Sequence, residues 1–237
     1  DADKLRVATV NAGGEPLQIV CGAPNVAKGV KVPVALIGAQ LPGLAIKKSK
    51  LRGVESFGML CSARELGMSE DHSGLLILPA DAPVGEDLRR YLSLEDVIID
   101  VDLTPNRADC FSMRGVAREA AMLLGQDLPA DFAAEQLGVQ PVAVESGETV
   151  VIGNQAPQSC PQYFARAIEG VDNTRPTPLW LQERLRRAGL RTHDPLVDVT
   201  NYVMLLLGTP LHAFDAAKIS GGIVIRQAQA GEKLMLI

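Results

Sequence analysis

The chain has 237 residues, of which 47% are apolar and 22% charged, and its net charge is −5. That length accommodates one large or two to three small domains, and the composition excludes a disordered or collagen-like chain. No apolar run approaches the ~18–20 residues that cross a bilayer, so no membrane contact is expected.

Charge is distributed unevenly. Residues 1–64 hold nine basic and four acidic side chains, which makes this portion +5 and the remainder −10. A local site for a polyanion and a solvated lysine face both account for that asymmetry. Aromatic residues make up 4% of the chain, with a single Trp, so a platform of interleaved stacking rings is poorly supported. The four cysteines, Cys21, Cys61, Cys110 and Cys160, form no CxxC pair and lie at no zinc spacing from His72, His193 or His212. They read as reduced, buried cysteines, and no metal site is expected. The start, Asp1-Ala2-Asp3-Lys4, lacks an initiator Met and a leader pattern, and the end falls inside an apolar, strand-like run. Both features give the expectation of a fragment of a longer protein.

In chain order, alternation predicts a strand over 5–10 and a second over 17–21, joined by the Asn11–Gly14 turn. A third strand is expected over 30–37, with Pro33 marking an edge or bulge, and Leu41-Pro42-Gly43 turns the chain again. Short strands at this spacing indicate a small barrel or sandwich. A helical turn at 64–67, a turn at 71–74, strands at 75–78 and 97–101 and a break at 104–107 follow. A helix is predicted from Ser112, its N-cap, to Leu124, with Gly125 at C′ and Met113, Val116, Ala117, Ala120 and Leu124 on its apolar face. Residues 126–158, with three prolines, read as a weakly structured boundary. Beyond it come a strand at 163–168 and a helix capped by Thr177 and ended by Gly189, with Trp180, Leu181 and Leu185 on one face. Val197–Val199, a helical segment over 202–207 and a strand over 223–226 complete the chain. Asp109, Asp198 and Asp215 have no sequence partners and read as turn or cap residues.

Three stretches carry a resemblance. The first runs from Ala2-Asp3-Lys4-Leu5-Arg6-Val7 through Gln18–Asn25 and Lys50-Leu51-Arg52-Gly53 to Ser56–Cys61. The second is Leu103–Cys110 with Arg114–Glu119, and the third is Val197–Met204 with Gly208–Asp215. In this order they resemble the β subunit of bacterial phenylalanyl-tRNA synthetase over nearly the whole chain. Thr209 stands where that family usually has Gln, and Leu206 where Glu is common.

The resemblance implies an α+β, multidomain fold. Residues 1–92 would be an OB-fold β-barrel that binds tRNA and lacks its N-terminal strand or strands. Residues 93–155 would be a B1-like α+β domain and linker, and 156–237 a truncated part of the B3/B4 editing domain. It implies a cytoplasmic α2β2 ligase that joins phenylalanine to tRNA(Phe), with ATP and Mg2+ used on the α subunit. No GxxxxGK[ST] or GxGxxG loop occurs in this chain, so no cofactor is assigned to it.

Phenylalanine and tyrosine differ by one hydroxyl, and an apolar pocket rejects the hydroxylated isostere only by roughly 10²-fold. A second, polar site that hydrolyses Tyr-tRNA(Phe) is the physical remedy. By resemblance, Thr200, Asn201 and His212 match editing-pocket positions. Thr200 and Asn201 are expected beside a strand end, with His212 returning to the same pocket to order water or to act as a base. The plain alternatives are that Thr200 and Asn201 cap the following helix and that His212 is a satisfied core histidine. Lys47, Lys48, Lys50 and Arg52 form a compact basic cluster suited to tRNA phosphates. Ser56, Gly58 and Met59 match the family's OB signature, with a structural reading beside it: Gly58 for a turn, Met59 for the core. Arg184, Arg186, Arg187 and Arg191 form a second basic surface that faces tRNA, the α subunit or solvent. The rival functions are a non-catalytic tRNA-binding or scaffold module and a stand-alone deacylase.

Overall fold

The computed structural model describes residues 5–70, 72–128 and 150–235. The chain is mixed α/β and divides into two units, residues 1–99 and 100–237.

In the first unit, β1 (Arg6–Val10) pairs antiparallel with β2 (Leu17–Cys21), Arg6 opposite Cys21 and Val10 opposite Leu17. The intervening turn is set by Asn11, whose side chain accepts from the Gly13 N–H at 2.9 Å. Gly13 lies so close to Gly85 that a Cβ on it would come within 2.9 Å of the Gly85 Cα. β3 (Val34–Leu36) pairs with β8 (Gly58–Leu60), and β4 (Gln40–Leu41) with β5 (Leu44–Ala45) across Pro42-Gly43. The third strand is thus shorter than its 30–37 alternation suggests. Pro33 has no N–H for the ladder and instead accepts from the Cys61 N–H at 3.0 Å. β6 (Ser49–Leu51) and β7 (Val54–Ser56) form a tight hairpin.

Two apolar clusters fill this unit. Ile19, Cys21, Val26, Leu60 and Leu75 form one, and Ala35, Ile46 and Cys61 the other. Hydrogen bonds stitch the ladders together. The Phe57 N–H donates to the Gln18 carbonyl. Asn25 holds both backbone groups of Leu75, donating at 2.9 Å and accepting at 2.8 Å. Ser62 and Glu65 make a reciprocal capping box around the expected turn at 64–67. Each ladder has two strands, and among the described residues they close no barrel. The short helix α1 (Leu88–Tyr91), capped by Asp87, was not anticipated. The expected strand at 97–101 is absent. Val97 is 81% exposed and no neighbouring strand pairs with it, so its β-branched run has nothing to pack on.

In the second unit α2 (Met113–Leu124) follows the sequence closely. The Ser112 hydroxyl accepts from the Gly115 N–H, and Gly125 ends the helix at φ 61°. Its expected apolar face is largely solvent-exposed, however, and the buried residue is Gly115. A Cβ there would lie 1.8 Å from the Asp109 carbonyl oxygen, so only glycine admits that approach. α3 (Leu179–Arg187) buries Leu181 and Leu185, but Trp180 is exposed. α4 (Pro195–Leu207) begins at Pro195, with Asp194 accepting from the Leu196 and Val197 N–H groups. The Val197–Val199 stretch is therefore the first turns of one helix and no strand. Both α2 and α3 pack against α4. β9 (Ile152–Asn154), within the stretch read as a boundary, pairs in parallel with β10 (Ile223–Ile225). Residues 163–168 form no strand, and Phe164 is 85% exposed. Most of the boundary stretch, 129–149, lies outside the described residues.

Candidate functional site

The basic cluster of the first unit sits on the β6–β7 hairpin. A two-residue turn that matches strand twist needs left-handed backbone, and Arg52 (φ 49°) and Gly53 (φ 85°) supply it. Lys50 stands opposite Glu55 in the ladder, and the Lys48 ammonium reaches Glu55 at 2.8 Å while lying 4.9 Å from the centre of the Phe57 ring. One carboxylate thus sits between two lysines, and all four cations of the cluster are exposed. An exposed ion pair of this type is worth at most about 1 kcal/mol, so a phosphate can take its place. Lys47 lines a groove of about 850 Å³ between β2 and the β5–β8 segment, along with Arg64, Glu65 and His72.

Ser56, Gly58 and Met59 have structural roles. Ser56 is 1% exposed; its hydroxyl accepts from the Val20 N–H at 3.1 Å and donates to the Gly58 carbonyl at 3.0 Å. A Cβ on Gly58 would meet the Ala35 carbonyl oxygen at 2.8 Å, and Met59 packs on the Ala35–Ile46–Cys61 cluster. Burial pushes the Cys61 thiol up to about 11, with Glu65 adding to the rise, which keeps it neutral. Cys21, Cys61 and Cys110 are buried and unpaired, and Cys160 is half-buried.

In the second unit Thr200 and Asn201 lie inside α4 and not beside a strand end. Neither is a cap, since Asp194 fills that position. The Thr200 hydroxyl donates to the Val197 carbonyl at 2.8 Å, and both side chains are half-buried. His212 follows the helix in an irregular, exposed segment, so it is not a core histidine. Its ring lies 5.9 Å from Phe214. Among the described residues no hydrogen bond joins His212 to Thr200 or Asn201. No group of three or more His, Cys, Asp or Glu able to hold a metal occurs among the described residues.

Of the three aspartates read as turn or cap residues, Asp215 is a cap, whereas Asp198 lies buried inside α4 and Asp109 pairs with Arg107. Asp215 caps the 3-10 turn Ala216–Lys218. Asp198 is fully buried. It accepts from the Thr177 hydroxyl at 2.5 Å and the His193 N–H at 2.9 Å, which ties the first turn of α4 to the entry of α3. Thr177 therefore serves Asp198, while Pro178 occupies the α3 cap position. Arg107 is a hub that sequence reasoning missed. It grips Asp109 through two nitrogens at 3.2 and 3.0 Å and reaches Glu119 at 2.9 Å. The guanidinium holds both carboxyls below the usual carboxylate range. Arg107 and Glu119, with Asp102, Thr104 and Cys110, line a hollow of about 230 Å³. The Asn106-Arg107-Ala108-Asp109 spacing, one residue between opposite charges beside a break, was the available signal.

Known proteins share this sequence along its length. The family model "Putative tRNA binding domain" matches residues 1–87, and the model "B3/4 domain" matches residues 159–237. The phenylalanine–tRNA ligase β subunit of Aromatoleum aromaticum is 55% identical over all of this chain, that of Pseudomonas putida 56% and that of Methylococcus capsulatus 56%. The chain spans 29–30% of the length of these relatives. Among the described residues no helix is long and apolar enough to cross a membrane. A tRNA-binding region and a B3/4 region, in this order and joined by a continuous match to one subunit, place the chain in the phenylalanine–tRNA ligase β subunit family.

Proposed function

We propose that this chain is the tRNA-contacting and editing-side portion of the β subunit of a phenylalanine–tRNA ligase. The observation that carries the reading is the match to such β subunits along the entire chain at 55–56% identity. The holoenzyme is a cytoplasmic α2β2 assembly that joins phenylalanine to tRNA(Phe). ATP and Mg2+ act on the α subunit, and no step uses a metal held by this chain. Residues 1–92 are an OB-fold tRNA-binding domain, 93–155 a B1-like domain and linker, and 156–237 part of the editing domain. The bonds that tie Ser56 and Phe57 to β2 support the OB reading, because they join the β6–β7 ladder to the β1–β2 ladder. Lys47, Lys48, Lys50 and Arg52 meet tRNA phosphates, which fixes orientation without reading sequence.

In the editing reaction, water attacks the ester carbonyl that links tyrosine to the terminal ribose. The carbon–oxygen bond to the ribose breaks, and the ribose hydroxyl leaves with a proton. Thr200 and Asn201 position the ester or the terminal adenosine, and His212 orders the attacking water. Its exposed segment leaves the imidazole open to such a substrate. The second reading, a tRNA-binding scaffold without catalysis, is favoured by one observation: His212 contacts Phe214 and is not hydrogen-bonded to the α4 pair.

Deacylation decides between them. The full-length parent subunit, assembled with its α partner, is given Tyr-tRNA(Phe). The editing reading predicts hydrolysis that slows at least about tenfold in His212→Ala, equivalent to about 1.4 kcal/mol of barrier. No hydrolysis by the wild type supports the scaffold reading, and hydrolysis unchanged by the substitution takes His212 out of the reaction.

A further inference from the structure

Helix α2 is amphipathic, yet its apolar side faces solvent. Met113, Val116, Ala120, Leu123 and Leu124 follow helical spacing and form one stripe along the helix. Leu123 is 78% exposed, and Met113 and Leu124 are exposed as well. Phe111, 69% exposed, stands just before the N-cap and prolongs the stripe. The contacts that hold α2 run along a different side. Gly115 abuts the Asp109 carbonyl of the 3-10 turn Ala108–Cys110, and Ser112 abuts Gly208 at the end of α4. A contiguous row of large apolar side chains is uncommon on a free surface and marks a contact to be covered.

The two borders of the stripe differ in charge. On one border Glu119 accepts from Arg107 at 2.9 Å and is neutralised. On the other stand Arg114 and Arg118, one helical turn apart. Among the described residues no carboxylate pairs with either, and the buried Nε of Arg114 has no hydrogen-bond partner. Like charges at i and i+4 repel, and an unmet buried donor costs stability. The surface that suits this side therefore offers apolar side chains to the stripe and a carboxylate to the arginines. A phosphate backbone answers the arginines but not the leucines and Met113.

The source of that surface follows from length. The chain spans 29–30% of the β subunits it matches, so most of such a subunit lies outside these 237 residues. An element of the same polypeptide meets the stripe at an effective concentration on the order of millimolar, well above that of a separate molecule in dilute solution. We propose that, in a β subunit of that length, the Phe111–Leu124 stripe packs against an apolar surface of the same subunit's remaining portion, with a carboxylate of that portion beside Arg114 and Arg118. This rests on the family membership and uses neither the editing assignments nor the phosphate contacts.

The test uses the full-length parent β subunit assembled with its α partner. Leu123→benzoylphenylalanine and Met113→benzoylphenylalanine are irradiated as separate variants, and the joined peptides are identified by mass spectrometry. The expected product is a β band of unshifted mass in which the stripe is joined to a β peptide outside the 237 residues. A product joined to the α subunit, to a second β subunit, to tRNA or to a peptide within the 237 residues overturns the proposal, as does the absence of a product from both variants. Arg118→Glu is expected to lower the Tm of the assembled enzyme, whereas Arg118→Lys leaves it unchanged. A Tm for Arg118→Glu equal to wild type overturns the acidic border. Failure of the wild-type subunit to assemble with α counts against the ligase reading, and assembly without the expected product counts against this proposal alone.

Discussion

Ser56 satisfies the buried Val20 N–H and the Gly58 carbonyl with one hydroxyl. Replacing it with Ala strands the Val20 N–H in a dry interior, at a cost of about 1–3 kcal/mol. Thermal unfolding of Ser56→Ala should show the loss, and a Tm equal to wild type would contradict the role. Gly115 is the analogous position in the second unit. Gly115→Ala forces the Asp109 turn away from α2 and should cost about 1–3 kcal/mol or more, read from denaturant midpoints. Single residues with a dedicated local role were the most legible in the sequence. Ser112 and Gly125 bound α2 where cap chemistry puts them. Thr200 and Asn201 were misplaced because Val197 and Val199 suggested a strand, while the stronger signal, Asp194 followed by Pro195, went unused. Proximity of His212 to them rests on how the chain returns after Gly208, and no local periodicity encodes that.

The β6–β7 hairpin is the element on which tRNA affinity should depend most on salt. Each phosphate contact removed lowers the slope of log affinity against log salt by about one. Lys50→Ala should therefore bind tRNA more weakly and with a shallower slope. An unchanged slope would take Lys50 out of the interface. The Arg107 cluster has a pH signature. Asp109 and Glu119 are held below their ordinary values near 4, mainly by hydrogen bonds from Arg107. Their folded-state pKa is lowered, so their contribution to stability is complete above that ordinary range and is lost as pH falls through the lowered values. The Tm gap between wild type and Arg107→Ala should accordingly be widest near neutral pH and narrow below about pH 4. A constant gap would mean that packing, and not charge, anchors Arg107. Strands of two or three residues, such as β4 to β8, are too short for alternation to define. The apparent strands at 97–101 and 163–168 failed because β-propensity needs a partner edge.

At the scale of the molecule, the family resemblance was carried by three motif stretches in one order: those within residues 2–61, Leu103–Cys110 with Arg114–Glu119, and Val197–Met204 with Gly208–Asp215. The barrel expected for residues 1–92 was not legible in the same way, because barrel closure depends on which distant strands pair. The ladders instead stand in twos around two small cores. The functional account makes these units a working segment of a ligase, and a segment exchange tests that directly. The 237 residues replace the matching stretch of the Aromatoleum aromaticum β subunit, and the chimera is assembled with that organism's α subunit. The account predicts that the chimera charges tRNA(Phe) with phenylalanine and removes tyrosine from Tyr-tRNA(Phe), both at rates near the parent's. A chimera that assembles with the α subunit and yet neither binds nor processes tRNA(Phe) would contradict it.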